Sequence, residues 1–491
     1  MAVPLTVWSA EPATSPTAAT PAAPAVSAPA PQPPPITENL PSRLTLVQCL
    51  NLVLQRNPDV MVARKKLEEA AGGIVEARAG YLPSLTASIN YVRVEDEYMN
   101  QQGTLPDRKP ELWGVAIRLT ETVYSGGAVG GKMQIAKLNK ASRLLEYESS
   151  LDRVIMDTRI AFYQILQNRA EVAVHQQAVA FLESEWINQR NRLQVGAGDR
   201  LQMLRAQVSL SLERAALLEV ENRLRNSYVR ITELMAVPYS SGRRARRDPK
   251  QLILSEPQPA TPGRAGDSEP PFEVEGELAY TKQPLDMNTC VTRALELRPE
   301  MKVRENDIAA QRQQLIIDRS TFKPKVEAYV GYDVVNEPDP AASHDYYSGY
   351  LIGVAATWQI FDGWAARGKA DATRARISQA ELTREATQNT IEADVVRAFH
   401  DLQQAEEIIQ TQQRNVALAE ESLKLAKTNV DLGLTTQLEL LQSRLDLTRA
   451  QTIELSARFA YNAALARLQR AISSRFTILE EPPRPAAEHQ P

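Results

Sequence analysis

The stretch YSGGAVGGK, Tyr124 to Lys132, has the G-x-x-x-x-G-K spacing of a phosphate-cradling loop. In such a loop, backbone N–H groups and the lysine hold the phosphates and a following Ser or Thr holds magnesium. Here Met133 follows the lysine. The spacing recurs in FDGWAARGKA, where Gly363, Gly368 and Lys369 keep their places and Ala370 replaces the hydroxyl. Both copies lack the metal ligand and neither sits in βαβ surroundings, so nucleotide chemistry is not expected. His175, His344, His400 and His489 are scattered without the Cys or carboxylate spacing of a zinc site. No Ser/His/Asp arrangement stands out. Cys49 and Cys290 lie inside helical patterns and read as small apolar helix residues. The expectation is a protein that is not an enzyme and takes no cofactor and no metal.

A defect that occurs twice points to duplication of something else. LTLVQCLNLVLQRNPDV from Leu44 aligns with LDMNTCVTRALELRPEM from Leu285, pairing Cys49 with Cys290 and Pro58 with Pro299 at an offset of 241. Pro83 and Pro324 keep that offset, after which Gly126, Lys132, Phe162 and Gly196 pair with Gly363, Lys369, Phe399 and Gly433 at 237. The glycine–lysine turns therefore occupy the same point of two repeats, where an alternating stretch gives way to a helix, and their glycines let the chain turn.

The 491 residues thus divide into a Pro/Ala-rich N-terminal segment (1–43), a first repeat (44–237), a Pro/Gly-rich linker (238–284), a second repeat (285–473) and a C-terminal tail (474–491). The N-terminus lacks the basic start and apolar core of an intact secretory signal, although AVPLTVWSA fits the tail of one. The run GRRARR, Gly242 to Arg247, reads as a solvated basic linker. A net charge of −4 gives no electrostatic case for nucleic acid. No run of 18 apolar residues is present, which excludes a membrane-spanning helix and leaves a β-barrel open.

Each repeat opens with a helix, Thr45 to Ala79 and Asp286 to Ser320, whose prolines predict a break after the first turns. Period-two stretches follow. Val326, Ala328, Val330, Tyr332 and Val334 share one face; Trp113, Val115, Ile117 and Leu119, and Ile352, Val354, Ala356, Trp358 and Ile360, do the same on their strands. Proline-free helical patterns then run from Ala128 to Gln194 and from Ala365 to Asp431, about 100 Å each at 1.5 Å per residue. Glycine-bearing turns lead into return helices of about 38 residues, ending at Ala236 or Ser473, with Leu217, Leu224, Tyr228, Ile231 and Met235 at seam spacing. The opening and return helices together match the long helix in length by the same rise per residue. Such helices cannot fold back over four strands, and four strands cannot close a membrane barrel, so several chains must share one.

In these features the chain resembles the TolC family of outer membrane efflux and secretion channels. The marks are RNPDV and LRPEM, YLPSL and FKPKV, VYSGG and IFDGW, and VGAGDRLQMLRAQ and LGLTTQLELLQSR, in the same order in both repeats. The resemblance implies a mostly α chain with a membrane β-barrel: a duplicated strand–strand–long helix–helix unit whose homotrimer shares a twelve-stranded barrel in the outer membrane lipid above a long periplasmic α-helical barrel. It implies an exit duct of a Gram-negative bacterium that works with a periplasmic adaptor (membrane fusion protein) and an inner-membrane pump. It places Val195, Gly196, Leu432, Gly433, Leu434 and Thr435 at adaptor-contacting tips, and Gly126, Gly127, Asp362 and Gly363 at the barrel-to-helix turns. Glu439 matches the first of two acidic gate positions, Gln442 replaces the second, and Gln202 stands at the first repeat's equivalent. A ring of Glu439 side chains would attract cations and oppose tight closure. Tyr81, Tyr91, Trp113, Tyr124, Tyr346, Tyr347, Trp358 and Phe361 lie near strand ends and fit either an interfacial girdle or core packing. The alternative, a soluble coiled-coil scaffold, leaves four matched strands unexplained.

Overall fold

The computed structural model describes residues 42–93, 111–237, 272–282, 284–336 and 345–473. The N-terminal tether, the basic run at 242–247, the C-terminal tail, His344 and His489 lie outside them. In chain order the elements are β1 (Arg43–Leu44), α1 (Leu46–Arg56), α2 (Pro58–Ala79), β2 (Ser84–Arg93), β3 (Glu111–Tyr124), α3 (Ala128–Gln194), α4 (Arg200–Leu234), β4 (Glu273–Val274), α5 (Met287–Leu297), α6 (Pro299–Ser320), β5 (Lys325–Asn336), β6 (Tyr346–Thr357), α7 (Ala365–Asp431) and α8 (Gln437–Ile472).

Caps and prolines fix where the opening helices begin and break. Thr45 forms a capping box with Gln48, and Asp286 accepts from the Thr289 N–H at 2.9 Å, satisfying donors the first helical turn leaves open. The predicted interruption falls at Asn57 and Arg298, both extended (ψ 127 and 126) as a residue before proline must be, with the proline opening the next helix. Asn57 accepts from the Asp59 N–H at 2.9 Å while its own amide donates to the Leu234 carbonyl at 2.9 Å, tying this break to the end of α4.

The long helices keep the boundaries that the sequence predicts. The return helices are shorter, 35 and 36 residues rather than about 38. At the first, Ala236 turns left-handed (φ 52) two residues ahead of Pro238, whose ring disfavours helix for the residue before it; at the second, Ser473 (φ 56) stops the helix. Within the second repeat the seam is a heptad: Ile391, Val395, Ala398, Leu402, Ala405 and Ile409 on α7 face Ala457, Tyr461, Ala464, Leu468 and Ala471 on α8. Spacing alternates four and three, so small and large residues interdigitate. In α4 the buried seam carries Val220, Tyr228 and Ile231, with Leu217 and Leu224 half-buried beside it.

A short belt holds the repeats together at mid-helix. β1 pairs in parallel with β4, and the chain after β4 runs over both halves. Val274 O accepts from Arg169, Phe272 stacks edge-on against Tyr228, Tyr280 stacks edge-on against Tyr461, and Asn462 donates to Ala279 O. Burial raises the Tyr461 phenol to a pKa of about 12, and its hydroxyl donates to Thr281 O.

The four longer strands form one antiparallel sheet in the order β2-β3-β5-β6. Its register runs Leu85–Leu119–Val330–Ile352 across the sheet, and neighbouring rows add Ile89, Val115 and Val334, giving one continuous apolar face. The other face carries Ser84, Thr86, Asn90, Arg118, Glu327 and Asp333, with Arg118 and Asp333 3.8 Å apart. Among the described residues nothing covers the apolar face: Ile89 is 80%, Ile352 75% and Val354 71% exposed. Among the described residues β2 and β6 are free edges, and they run antiparallel to each other.

Candidate functional site

The tip at the end of the rod away from the sheet is built from two matched turns. α3 ends with the Gly196 N–H donating to Leu193 O (3.1 Å) and the Ala197 N–H to Arg192 O (2.9 Å); α7 ends with Gly433 to Val430 O (3.0 Å) and Leu434 to Asn429 O (2.8 Å). Both are the paired bonds of a Schellman motif, which demands a left-handed residue, supplied by Gly196 (φ 77) and Gly433 (φ 73). The return helices start differently. Asp199 caps α4 by accepting from the Leu201 N–H at 3.0 Å, whereas Thr436 makes no side-chain cap on α8. Val195, Leu432 and Leu434 are 78%, 68% and 72% exposed, an apolar tip without a partner among the described residues, while Thr435 is half-buried with a hydroxyl unpaired among them.

Glu439, in the first turn of α8, and Gln442 line the same groove between α7 and α8, together with Leu418, Glu421, Leu425 and Thr435. Both are exposed, and Gln442 donates to Asp446 at 3.1 Å. Gln202 is exposed on α4 and does not line that groove. The groove thus holds two carboxylates one face apart, on helices joined by the tip turn.

At the other end, the strand-to-helix turns explain the glycine–lysine pattern. Gly126 (φ 64) and Gly127 (φ 100) lead into α3, and Gly363 (φ 67) leads into α7. Ser125 Oγ accepts from the Val129 N–H at 3.2 Å, and Asp362, its repeat equivalent, accepts from the Ala366 N–H at 2.7 Å. Lys132 and Lys369 are exposed on the first helical turns. The residues predicted for an aromatic girdle all stand exposed, from Trp113 at 37% to Phe361 at 71%.

Sequence reasoning missed a buried polar cluster where α8 of the second repeat packs on α3 and α4 of the first. Leu182, Leu210 and Leu441 form its floor. His175 Nδ1 lies 2.7 Å from Glu213 Oε1, and the Arg444 guanidinium sits 5.5 Å over the Phe181 ring. Burial lowers the Arg444 pKa, an effect Glu213 opposes, and Nε and Nη2 of Arg444 have no hydrogen-bond partner. The signal was present, since Arg444 interrupts the buried series Leu440, Leu441, Leu447.

Among the described residues no helix is long and apolar enough to cross a membrane, and no cluster of His, Cys, Asp and Glu could hold a metal ion. A family model, outer membrane efflux protein, matches residues 49–237 and 290–474, both repeats nearly whole. The chain belongs to the outer membrane efflux protein family. This family comprises outer membrane transport channels of Gram-negative bacteria with long helical periplasmic extensions, and the chain is accordingly a subunit of an outer membrane exit duct. CyaE of Bordetella pertussis is 23% identical over 471 residues, covering 94% of this chain and 90% of CyaE. The protease secretion protein PrtF of Dickeya chrysanthemi is 24% identical over 219 residues, 44% of this chain and 45% of PrtF. Among solved structures, the Campylobacter jejuni CmeC outer membrane channel superposes with a TM-score of 0.71 at 14% identity, over 89% of this chain and 87% of CmeC. The fold is therefore that of efflux channels that combine a β-barrel with a long α-helical barrel.

Proposed function

We propose that three copies of this efflux-family chain close one barrel, each adding its four strands, and that the α-helices continue the passage through the periplasm. The observation that carries this reading is the open sheet. Its uncovered face is apolar enough for lipid, its opposite face suits water, and its two free edges run antiparallel, so β6 of one copy can pair with β2 of the next. Heterologous contacts of this kind generate a ring when the rotation closes. A soluble scaffold would leave that face in water.

The channel catalyses nothing. An inner-membrane pump supplies the energy, and a periplasmic adaptor engages the tips formed by Val195, Gly196, Leu432, Gly433, Leu434 and Thr435. Glu439 is the gate residue, with Gln442 beside it in the groove and Gln202 at the first repeat's equivalent position, both neutral, so the gate attracts cations weakly. Cargo passes without being bound. Small molecules in efflux and polypeptides in secretion, the process named for PrtF, are both compatible with such a duct.

Purification from membranes in detergent and single-particle electron microscopy test the reading. Threefold rods with a barrel at one end and helices of about 100 Å are expected. Compact particles, or extraction without detergent, would overturn it.

A further inference from the structure

The duplication makes one internal contact a template for another. In the rod α2 packs on α3, α3 on α6 and α6 on α7, so α2 and α7 are the outer helices at the sheet end. The repeat offsets map α3 onto α7 and α6 onto α2. The internal contact of α3 with α6 therefore has a counterpart between α7 of one copy and α2 of another. This inference rests on the ring-shaped assembly proposed above and specifies how its seam is packed.

The internal contact places small residues on α3 and its turn against bulk on α6. A Cβ on Gly127 would meet Ile316 Cγ2 at 3.2 Å, one on Gly131 would meet Ile317 Cγ1 at 2.7 Å, and one on Gly126 would meet Ser320 O at 2.9 Å. Lys323 Nζ donates to Gly126 O at 3.3 Å across the same contact.

At one of the equivalent pairs the balance of size is reversed, while Gly126 and Gly131 correspond to Gly363 and Gly368 and those positions stay small. Gly127 corresponds to Trp364, and Ile316 to Val75. Trp364 holds a left-handed backbone (φ 69) that an L side chain rarely adopts, yet its side chain gains little from its own chain: it is 65% exposed, touching Phe361 edge-on and lying under the Arg367 guanidinium at 5.7 Å. On α2, Gly72 and Gly73 stand next to each other in a helix interior, where glycine is unfavourable. A Cβ on either would meet open space, and so would one on Gly368, the equivalent of Gly131. Val75 beside them is 69% exposed. The internal contact thus pairs the position of the exposed, strained Trp364 with that of Val75, beside which Gly72 and Gly73, the equivalents of Gln313 and Gln314, leave a hollow on α2.

We propose that Trp364 of one copy is a wedge that fills the hollow formed by Gly72, Gly73 and Val75 on α2 of the next copy. The reversal of size at this pair keeps both kinds of seam filled: bulk comes from α6 at the internal one and from the α7 turn at the external one. It also makes the two seams non-interchangeable, so the first repeat of one copy meets the second repeat of its neighbour and not a first repeat.

The test is disulfide capture. Gly127 and Ile316 are close enough internally that cysteines at Val75 and Trp364 of adjacent copies would fall within bridging range. The native thiols do not interfere, because Cys49 and Cys290 are buried and burial raises both pKa values, Cys49 to about 12. The double variant Val75→Cys/Trp364→Cys should run under non-reducing denaturing conditions as covalent dimer and trimer, while each single variant runs as monomer. A second variant keeps the aromatic bulk: p-benzoylphenylalanine at position 364 should photo-crosslink between chains to an α2 peptide. Normal-sized assemblies without the disulfide, or crosslinks to lipid or to another helix, would overturn the wedge and leave the ring standing. A wild-type protein that is monomeric in detergent would overturn the ring itself.

Discussion

Asn57 is the side chain on which most local geometry depends. It is 3% exposed, caps α2 with its oxygen and holds the last carbonyl of α4 with its amide. Asn57→Ala removes the cap and strands the Leu234 carbonyl, and the two losses together are expected to cost about 2–4 kcal/mol. Thermal unfolding of the detergent-solubilised protein measures this; a shift no larger than that of an exposed alanine substitution would show that the link does not matter. Glu439 is a different kind of residue, exposed and with no ion pair among the described contacts, so its substitution should spare stability. In planar bilayers Glu439→Gln is expected to reduce cation preference, and Gln442→Glu, which adds a third carboxylate to the same groove one turn from Glu439, to increase it. If both variants conduct with unchanged selectivity, the narrowest charged point of the passage lies elsewhere.

The elements were largely legible before any coordinates, and the reasons are physical. A 67-residue pattern without proline has no alternative to helix, and Pro58 and Pro299 force the residue ahead of them out of helix, so those boundaries fall where expected. Strand alternation survives because each face of the sheet meets one kind of environment. The return helices read from sequence as running to Ala236 and Ser473 end one or two residues earlier, because those two residues themselves take the left-handed stop without a glycine. The Arg444 cluster was missed for another reason: its members lie on three helices far apart in sequence, so no local spacing joins them. The tip turns belong to the legible part, and their glycines define a prediction. Gly196→Ala or Gly433→Ala places a Cβ in a left-handed residue at about 1–2 kcal/mol. Amide hydrogen exchange should accelerate in the last turn of α3 or α7 and the first turn of the return helix, leaving the belt at mid-helix unchanged. Protection lost uniformly along the rod would mean that the turns and the seams unfold as one unit.

On the scale of the whole chain, two repeats of the same unit must be held at a fixed angle, and two devices do so unequally. The belt is the better bonded of the two, with only the buried Tyr280 hydroxyl unpaired among its described groups: β1 pairs with β4, two aromatic pairs stack edge-on, and carbonyls of the crossing segment accept from Arg169, Tyr461 and Asn462. Nearer the tip, the contact of α8 with α3 and α4 includes Arg444, buried with two donors unpaired. Desolvating a guanidinium costs several kcal/mol, and stacking on Phe181 recovers only about 0.5–2 of it. The joint is therefore better bonded at the belt than near the tip, and any opening swing of the second repeat's helices is expected to start at Arg444. Arg444→Met keeps the stem's contacts and removes the buried charge, so it is expected to be neutral or to stabilise by about 1–3 kcal/mol. A channel so changed should also resist opening. Thermal melting and the open fraction in bilayers read the two effects separately. A loss of more than about 3 kcal/mol, the size expected from breaking a satisfied buried ion pair, would mean that Arg444 is fully paired in the assembled ring and that the tip is as firmly joined as the belt.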